Sequence, residues 1–558
     1  MAVGGNISDI DRTWWREAVV YQLYPRSFDD SNGDGIGDLP GARRRVSYLE
    51  ELGVDVVWLN PVYDSPQVDA GYDVRDYYTV DDDYGTMADL EGLLAELHER
   101  DMRLVMDLVV NHTSDEHEWF RRSRQGDPAF ADYYHWVDGD PNELPNDWES
   151  FFGGPAWSYD DERGAWYLHL FDARQPDLNW RNPAVREAIH EMMNWWLEKG
   201  IDGFRMDVID LLSKPESYPD SDPDAETIVR GADRFVGGPK IHEYLREMYE
   251  ATLEGRDAMT VGEMVDVDVE EAERYVGSDG LGMSMAFNFD HMRLDMKGSR
   301  WNRVEWSVRD LKRVISRWQT DLDGWTPLYM NNHDEPRMVS RFGDDGIYRR
   351  ESAKLLGTLL YTLRGTPFCY QGEELGMTNY PFESLDEVVD IDTKKNVEQL
   401  RKRGVFKDDA EMMELVRHRT RDNARTPMQW DDSTNAGFTA GEPWLPVIPD
   451  YTEVNVAAAD ANPDSVLNYY RRLIELRERN EVLVYGEYEL LTPDHEQLWV
   501  YERVLGDDRA LVVLNFGGDP VEFEAPYDDG ELLVSNYDDA GPLADTRLHP
   551  WEALVYRI

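Results

Sequence analysis

Two carboxylates, Asp207 in GFRMDV (203–208) and Glu263 in MTVGEM (259–264), close short apolar runs of strand-like composition. Alternate residues of a strand share a face, so Arg205 and Asp207 project together while Phe204 and Met206 pack the other way. An arginine beside a carboxylate favours the ionised form that a nucleophile needs to attack an anomeric carbon. Retaining glycoside hydrolysis requires that carboxylate and a protonated partner about 5–5.5 Å away. In a chain with 113 acidic residues among 558, one carboxylate at a strand end says little, and an ordinary ion pair is the plainer reading. The weight comes from several strand ends taken together: Asn111-His112, Arg205 with Asp207, Glu263, and His333-Asp334.

Eight apolar runs can position these groups: 18–25, 54–61, 103–112, 203–208, 259–264, 283–289, 326–334 and 366–374. Between them, segments such as 88–100 and 184–200 carry apolar residues at three- and four-residue spacing, the helical period. The alternation predicts an α/β chain, a (β/α)8 TIM barrel whose active groups sit at the carboxyl ends of the strands. Strands four and five are then neighbours, which brings Asp207 near Glu263. The TVG before Glu263 offers small residues for close approach to a ligand. Two connections are too long for ordinary barrel loops, an inserted domain at 113–180 after strand three and a loop subdomain at 375–430 after strand eight. The barrel is thus expected over 1–112 and 181–478. Alternating segments such as QLWVYERV and RALVVLNF predict a C-terminal antiparallel β-sandwich over 479–558.

The formal net charge is −56, and only ten of the 57 cations are lysine. Nucleic acid and anionic membranes are excluded as partners on that charge. A surface this acidic repels itself in dilute buffer and is relieved when salt screens it, which points to a halophilic source. The single cysteine, Cys369, in the apolar TPFCY, is expected to fill core space. The amino terminus has no basic region followed by an apolar stretch, and no run of 18 apolar residues occurs, so a cytoplasmic location is expected.

DLVVNHTS (107–114), GFRMDVID (203–210), TVGE (260–263) and NNHDEPR (331–337) resemble four ordered motifs of the α-amylase family, glycoside hydrolase family 13. QPDLNW (175–180) and GTPFCYQGEELGM (365–377) resemble segments of its oligo-1,6-glucosidase and α-glucosidase branch. The resemblance implies Asp207 as nucleophile, Glu263 as general acid and then base, and Asp334 as transition-state stabiliser. It implies hydrogen bonds to the same sugar ring from His112, Arg205 and His333. In AGYDVRDYY (70–78), Tyr72 matches the family's stacking aromatic and Asp73 the aspartate that grips the nonreducing glucose. RDNARTPMQW (421–430) resembles the segment that supplies an arginine to that glucose, and Arg421 takes the role over Arg425. A pocket closed this way admits only chain ends of small α-glucosides, so the implied activity is an exo-acting α-glucosidase. Val208, after the nucleophile, resembles enzymes favouring α-1,6 bonds, but one side chain leaves α-1,4 open.

The run DDSNGDGIGD (29–38) spaces Asp30, Asn32, Asp34 and Asp38 at alternate positions among glycines, which suits a hard cation. Similar loops in the branch bind Ca2+, with Ile36 contributing its carbonyl, and the metal would be structural. Insertion aromatics Trp148, Phe151 and Trp157 are candidates to line the leaving-group subsite, with packing in that domain's core the expected role. Sucrose or trehalose isomerases and glucosyltransferases share the covalent intermediate, whereas a noncatalytic sugar-binding relative would lack the carboxylates retained here.

Overall fold

The computed structural model describes residues 12–277, 282–543 and 547–558. The terminal segment 1–11, where a targeting signal would begin, lies outside the described residues. All eight expected strands form: β1 (Val20–Leu23), β2 (Val56–Leu59), β3 (Arg103–Leu108), β4 (Gly203–Met206), β5 (Met259–Glu263), β6 (Met285–Phe287), β7 (Pro327–Leu328) and β8 (Thr366–Tyr370). They make one parallel sheet in the order β6-β5-β4-β3-β2-β1-β8-β7. The end strands β6 and β7 contact each other, and Phe287 meets Tyr329 edge to face at 5.0 Å, which closes the barrel. β1, β2, β4, β5, β6 and β8 are buried along their whole length, as strands covered on both faces must be. β7 is shorter than the run 326–334 suggested. Pro327 has no N–H to donate, and pairing with β8 stops at Leu328.

The covering helices follow their sequence signals. α1 (Met87–Glu99) starts with a capping box between Thr86 and Asp89 and buries Leu90, Leu93, Leu94 and Leu97. α2 (Pro183–Lys199) has Asn182 as cap and Pro183 in its first turn, and Gly200 ends it at φ 104°. Its Val185, Ile189, Met192, Met193 and Trp196 form the buried stripe. No helix among the described residues is long and apolar enough to cross a membrane. Cys369 is buried, as expected of a core filler.

Between β3 and β4, strands Trp136–Val137, Trp157–Asp160 and Ala165–Leu168 form a small antiparallel sheet. Trp148, Trp157, Trp166, Leu168 and Leu170 pack there with Phe235 from beyond β4. After the barrel, β9 (Glu487–Leu490), β10 (Leu498–Leu505), β11 (Asp508–Asn515), β12 (Glu531–Ser535) and β13 (Ala553–Arg557) pair antiparallel in the order β9-β10-β11-β13-β12. Period two sorts their side chains. Trp499, Tyr501, Val512 and Leu514 join the main core, while Leu498, Val500, Leu511 and Val513 pack with Val521 and Leu548 of a second short ladder.

Register sets the site. Asp107 on β3 pairs with Arg205 on β4, and Met206 pairs with Gly262 on β5. The next position on each chain is Asp207 and Glu263, held across an interstrand gap of about 4.8 Å.

Candidate active site

Arg205 is the hub of the strand ends. Its Nη1 donates to Asp207 Oδ1 at 2.6 Å and to Asp107 Oδ1 at 2.9 Å, while Nη2 lies 2.6 Å from Glu263 Oε2. One guanidinium therefore serves three carboxylates. Burial is the largest influence on Asp207 and pushes its carboxyl well up; Arg205 opposes this, and Glu263 and Asp107 push it up again. The expectation that Arg205 simply keeps Asp207 ionised thus gives way to a shared, crowded charge.

Val208 adopts φ 36° and ψ 46°. For a β-branched residue this is an outlier of the kind found at functional sites. It aims the Val208 N–H at Glu263 Oε2, 3.1 Å away. Gly262 does not face a ligand, contrary to the expectation from TVG. A Cβ there would meet Met283 Sδ at 2.5 Å and Ile209 Cγ2 at 3.0 Å, so the glycine serves packing behind the strand.

His333 is buried, with its pKa lowered to about 3 mainly by that burial, so it works as neutral imidazole. Gln22 Nε2 lies 2.8 Å from its Nδ1 and 2.9 Å from Asn60 Oδ1, which leaves the proton on Nε2. That nitrogen lies 2.7 Å from Tyr72 Oη and 3.4 Å from Asp334 Oδ2. Tyr72 in turn donates to Asp107 Oδ2 at 3.0 Å, and its ring stacks on His333 at 5.3 Å. His112 bonds the Tyr72 carbonyl through Nε2 at 3.1 Å. Burial opposes ionisation of Asp334, but the Arg421 and Arg425 guanidiniums, at 3.3 and 2.7 Å, outweigh it and hold its carboxyl below the ordinary range.

A cavity of about 350 Å3 gathers Tyr72, His112, Asp207, Val208, Glu263, Asp334 and Arg421. Asp73 is not among its walls. It is fully buried and accepts from the amides of Val68 and Asp69 and from Ser65. The carboxylate that reaches the cavity is Asp69, bound by Arg421 Nη2 at 2.8 Å. Ala70 and Gly71, at φ 50° and 98°, make a tight turn that puts Asp69 and Tyr72 on one side and turns Asp73 into the loop. The Ala-Gly pair between two aspartates was the available signal. Sequence reasoning also missed Glu335, which follows Asp334 inside NNHDEPR, and Arg300 and Asp392, which come from a strand (Ser299–Arg303) and a helix (Ile391–Lys402) that carry no motif. Phe151 lines the cavity, whereas Trp148 and Trp157 pack inside the insertion.

In the loop at 29–38, Asp30 accepts from the amides of Asn32, Gly33 and Gly35, and Asp34 accepts from that of Ile36. Asp38 caps the next helix through Gly41 N at 2.6 Å. Among the described residues no group of three or more His, Cys, Asp or Glu converges as for a metal ion. The oxygen-only donor set still has the chemistry of a hard-cation loop, and an ionised carboxylate that accepts amides keeps further lone pairs.

Residues 22–486 match the α-amylase catalytic domain. The chain is 51% identical to the oligo-1,6-glucosidase of Parageobacillus thermoglucosidasius over 98% of this chain and 100% of that protein. Among solved structures it resembles Bacillus licheniformis trehalose-6-phosphate hydrolase, with TM-score 0.93 and 43% identity over 98% of this chain and 100% of that one. It also resembles isomaltulose synthase from Erwinia rhapontici, with TM-score 0.95 and 42% identity over the same shares. A parallel barrel with these strand-end groups, matched along nearly its whole length, makes the chain a glycosidase of the α-amylase family, glycoside hydrolase family 13.

Proposed function

We propose that this glycosidase removes glucose from the nonreducing ends of short isomalto-type α-glucosides by double displacement. The observation that carries the reading is the pair Asp207 and Glu263 on adjacent strands, both bound by one guanidinium. Paired strands and a shared guanidinium hold the two carboxyls close, which supports the short separation that retaining chemistry requires. Asp207 attacks the anomeric carbon through its free oxygen while Glu263 gives its proton to the leaving oxygen. Glu263 then takes a proton from the water that releases glucose. Asp334, ionised and held by Arg425 Nη2 at 2.7 Å, stabilises the positive charge that develops on the sugar ring in the transition state of each step. Arg421 and Asp69 are read as the closed end that grips the terminal glucose, the role sequence alone gave to Asp73.

The α-1,6 preference is supported by Val208 in the wall and by oligo-1,6-glucosidase relatives at 48–51% identity. Seven carboxylates and four arginines line the cavity, and Arg293, Arg300 and Arg403 each face a carboxylate partner. Among the described residues an anionic sugar meets no unpaired cation there, which disfavours phosphorylated disaccharides. Product analysis on isomaltose, maltose, sucrose, trehalose 6-phosphate and soluble starch tests the reading. Glucose from isomaltose with little from starch or the phosphorylated sugar is expected. An isomeric disaccharide as main product would instead identify an isomerase using the same intermediate.

Asp30, Asn32, Asp34, Asp38 and the Ile36 carbonyl are proposed to hold a structural Ca2+, and the acidic surface is proposed to suit high salt. Asp30 supports this: burial opposes its ionisation, but Thr439 and the loop amides lower its pKa, so it stays charged. Chelation should lower the thermal midpoint and Ca2+ restore it, with Asp34→Ala abolishing the response. Added NaCl should raise the midpoint throughout. An unchanged midpoint under both treatments would remove both proposals.

A further inference from the structure

Behind the glucose-facing wall lies a second, fully buried carboxylate, Asp390, in the loop after β8. It begins helix α3 (Ile391–Lys402), where it accepts from the amides of Asp392 at 3.2 Å and Thr393 at 3.1 Å and from the Thr393 hydroxyl. Its other partner is not local. Arg421 Nε donates to Asp390 Oδ1 at 2.8 Å, and Arg421 Nη2 lies 2.7 Å from the same oxygen. The far side of the same guanidinium serves the cavity, with Nη2 on Asp69 at 2.8 Å and Nη1 3.3 Å from Asp334. Asp390 itself is not in the cavity wall.

A long, flexible arginine pulled by two cavity carboxylates has no fixed place unless something holds its root. Arg425, which also binds the Asp334 carboxylate, is 4.0 Å from Asp390 and spends its Nε on the His333 carbonyl at 3.0 Å. It does not hold Arg421. We propose that Asp390 is a positioning residue. It anchors the guanidinium of Arg421 from behind, so that Asp69 and Asp334 are presented to the terminal glucose in fixed geometry. The assignment rests on reading this cavity as a glucose pocket. It extends that reading to a residue that touches no substrate and links the helix after β8 to sugar affinity.

The arrangement separates two functions of one side chain. Asparagine is as good a helix cap as aspartate. It cannot accept from Arg421 with a full charge, and a flipped amide would oppose donor to donor. Asp390→Asn should therefore keep α3 while loosening Arg421. Thr393→Val is the converse control, since it removes a hydroxyl bonded to Asp390 Oδ2 and Thr420 Oγ1 and spares the Arg421 bonds to Asp390 Oδ1.

The experiment is glucose binding by calorimetry, with KM and kcat on isomaltose, for the full-length wild type, Asp390→Asn, Thr393→Val, Arg421→Ala and the Asp390→Asn/Arg421→Ala double variant. Asp390→Asn is expected to weaken glucose binding and raise KM at least tenfold with a smaller change in kcat, and to add nothing once Arg421 is gone. Thr393→Val should bind glucose as the wild type does. Equal weakening by Thr393→Val, additive losses in the double variant, or unchanged glucose binding in Asp390→Asn would each overturn the assignment. A wild type that binds no glucose would instead count against the reading of the cavity.

Discussion

Asp207→Asn is expected to lower kcat on an isomaltose-type substrate by on the order of 10⁴-fold or more, the scale seen when a covalent nucleophile is removed. The fold should survive, because Arg205 keeps Asp107 at 2.9 Å and Glu263 at 2.6 Å. Glu263→Gln should cost roughly 10²–10⁴-fold on the same substrate, the range of a lost general acid. A glucosyl fluoride, whose leaving group needs no proton, separates the roles. Glu263→Gln should retain its first step, and Asp207→Asn should not. Acidification gives a second check. Asp207 must be ionised to attack, and its carboxyl is pushed well above the ordinary value of 3.8, chiefly by burial. Activity should then fall as pH drops through a value above the usual carboxylate range, while Asp334, held low by Arg421 and Arg425, stays charged. Near-normal turnover by Asp207→Asn would end the mechanism.

Much of this geometry was readable from residue order because barrel strands place their last residues at one rim. Asp207, Glu263 and Asp334 each end a short apolar run and the rim brings them to one cavity, with His333 buried beside Asp334. What failed was local three-dimensional detail. Asp69 and Asp73 flank the same Ala-Gly turn, and only the backbone dihedrals say which one the turn presents. Val208 in the left-handed region has no sequence signal, since valine ordinarily avoids it. Asp390 and Asp392 lie in an insertion whose acidic residues look alike in a chain this acidic. Their meaning comes from Arg421 and Arg300, which are far away in sequence.

Lys214 is the most consequential residue that local pattern hid. It is one of only ten lysines, and its ammonium is fully buried. Burial lowers its pKa, against the pull of Asp177. Nζ lies 2.6 Å from Asp177 Oδ2 and 2.7 Å from Asn111 Oδ1. One cation thus joins the loop after β4, the end of the insertion and the end of β3. Asp177 also accepts from Leu170 N at 2.9 Å, and Asn111 reaches His112 of the cavity wall at 3.2 Å. Lys214→Met would leave Asp177 buried without its counter-charge, which typically costs about 3–5 kcal/mol. The insertion carries Phe151 and Phe171 of the cavity wall, so KM should rise under conditions where the barrel remains folded. Adding Asp177→Asn should recover part of the lost stability, because the stranded charge goes with it, and a denaturant double-mutant cycle measures that coupling. If Lys214→Met unfolds at the wild-type denaturant midpoint, this ion pair does not hold the insertion to the barrel.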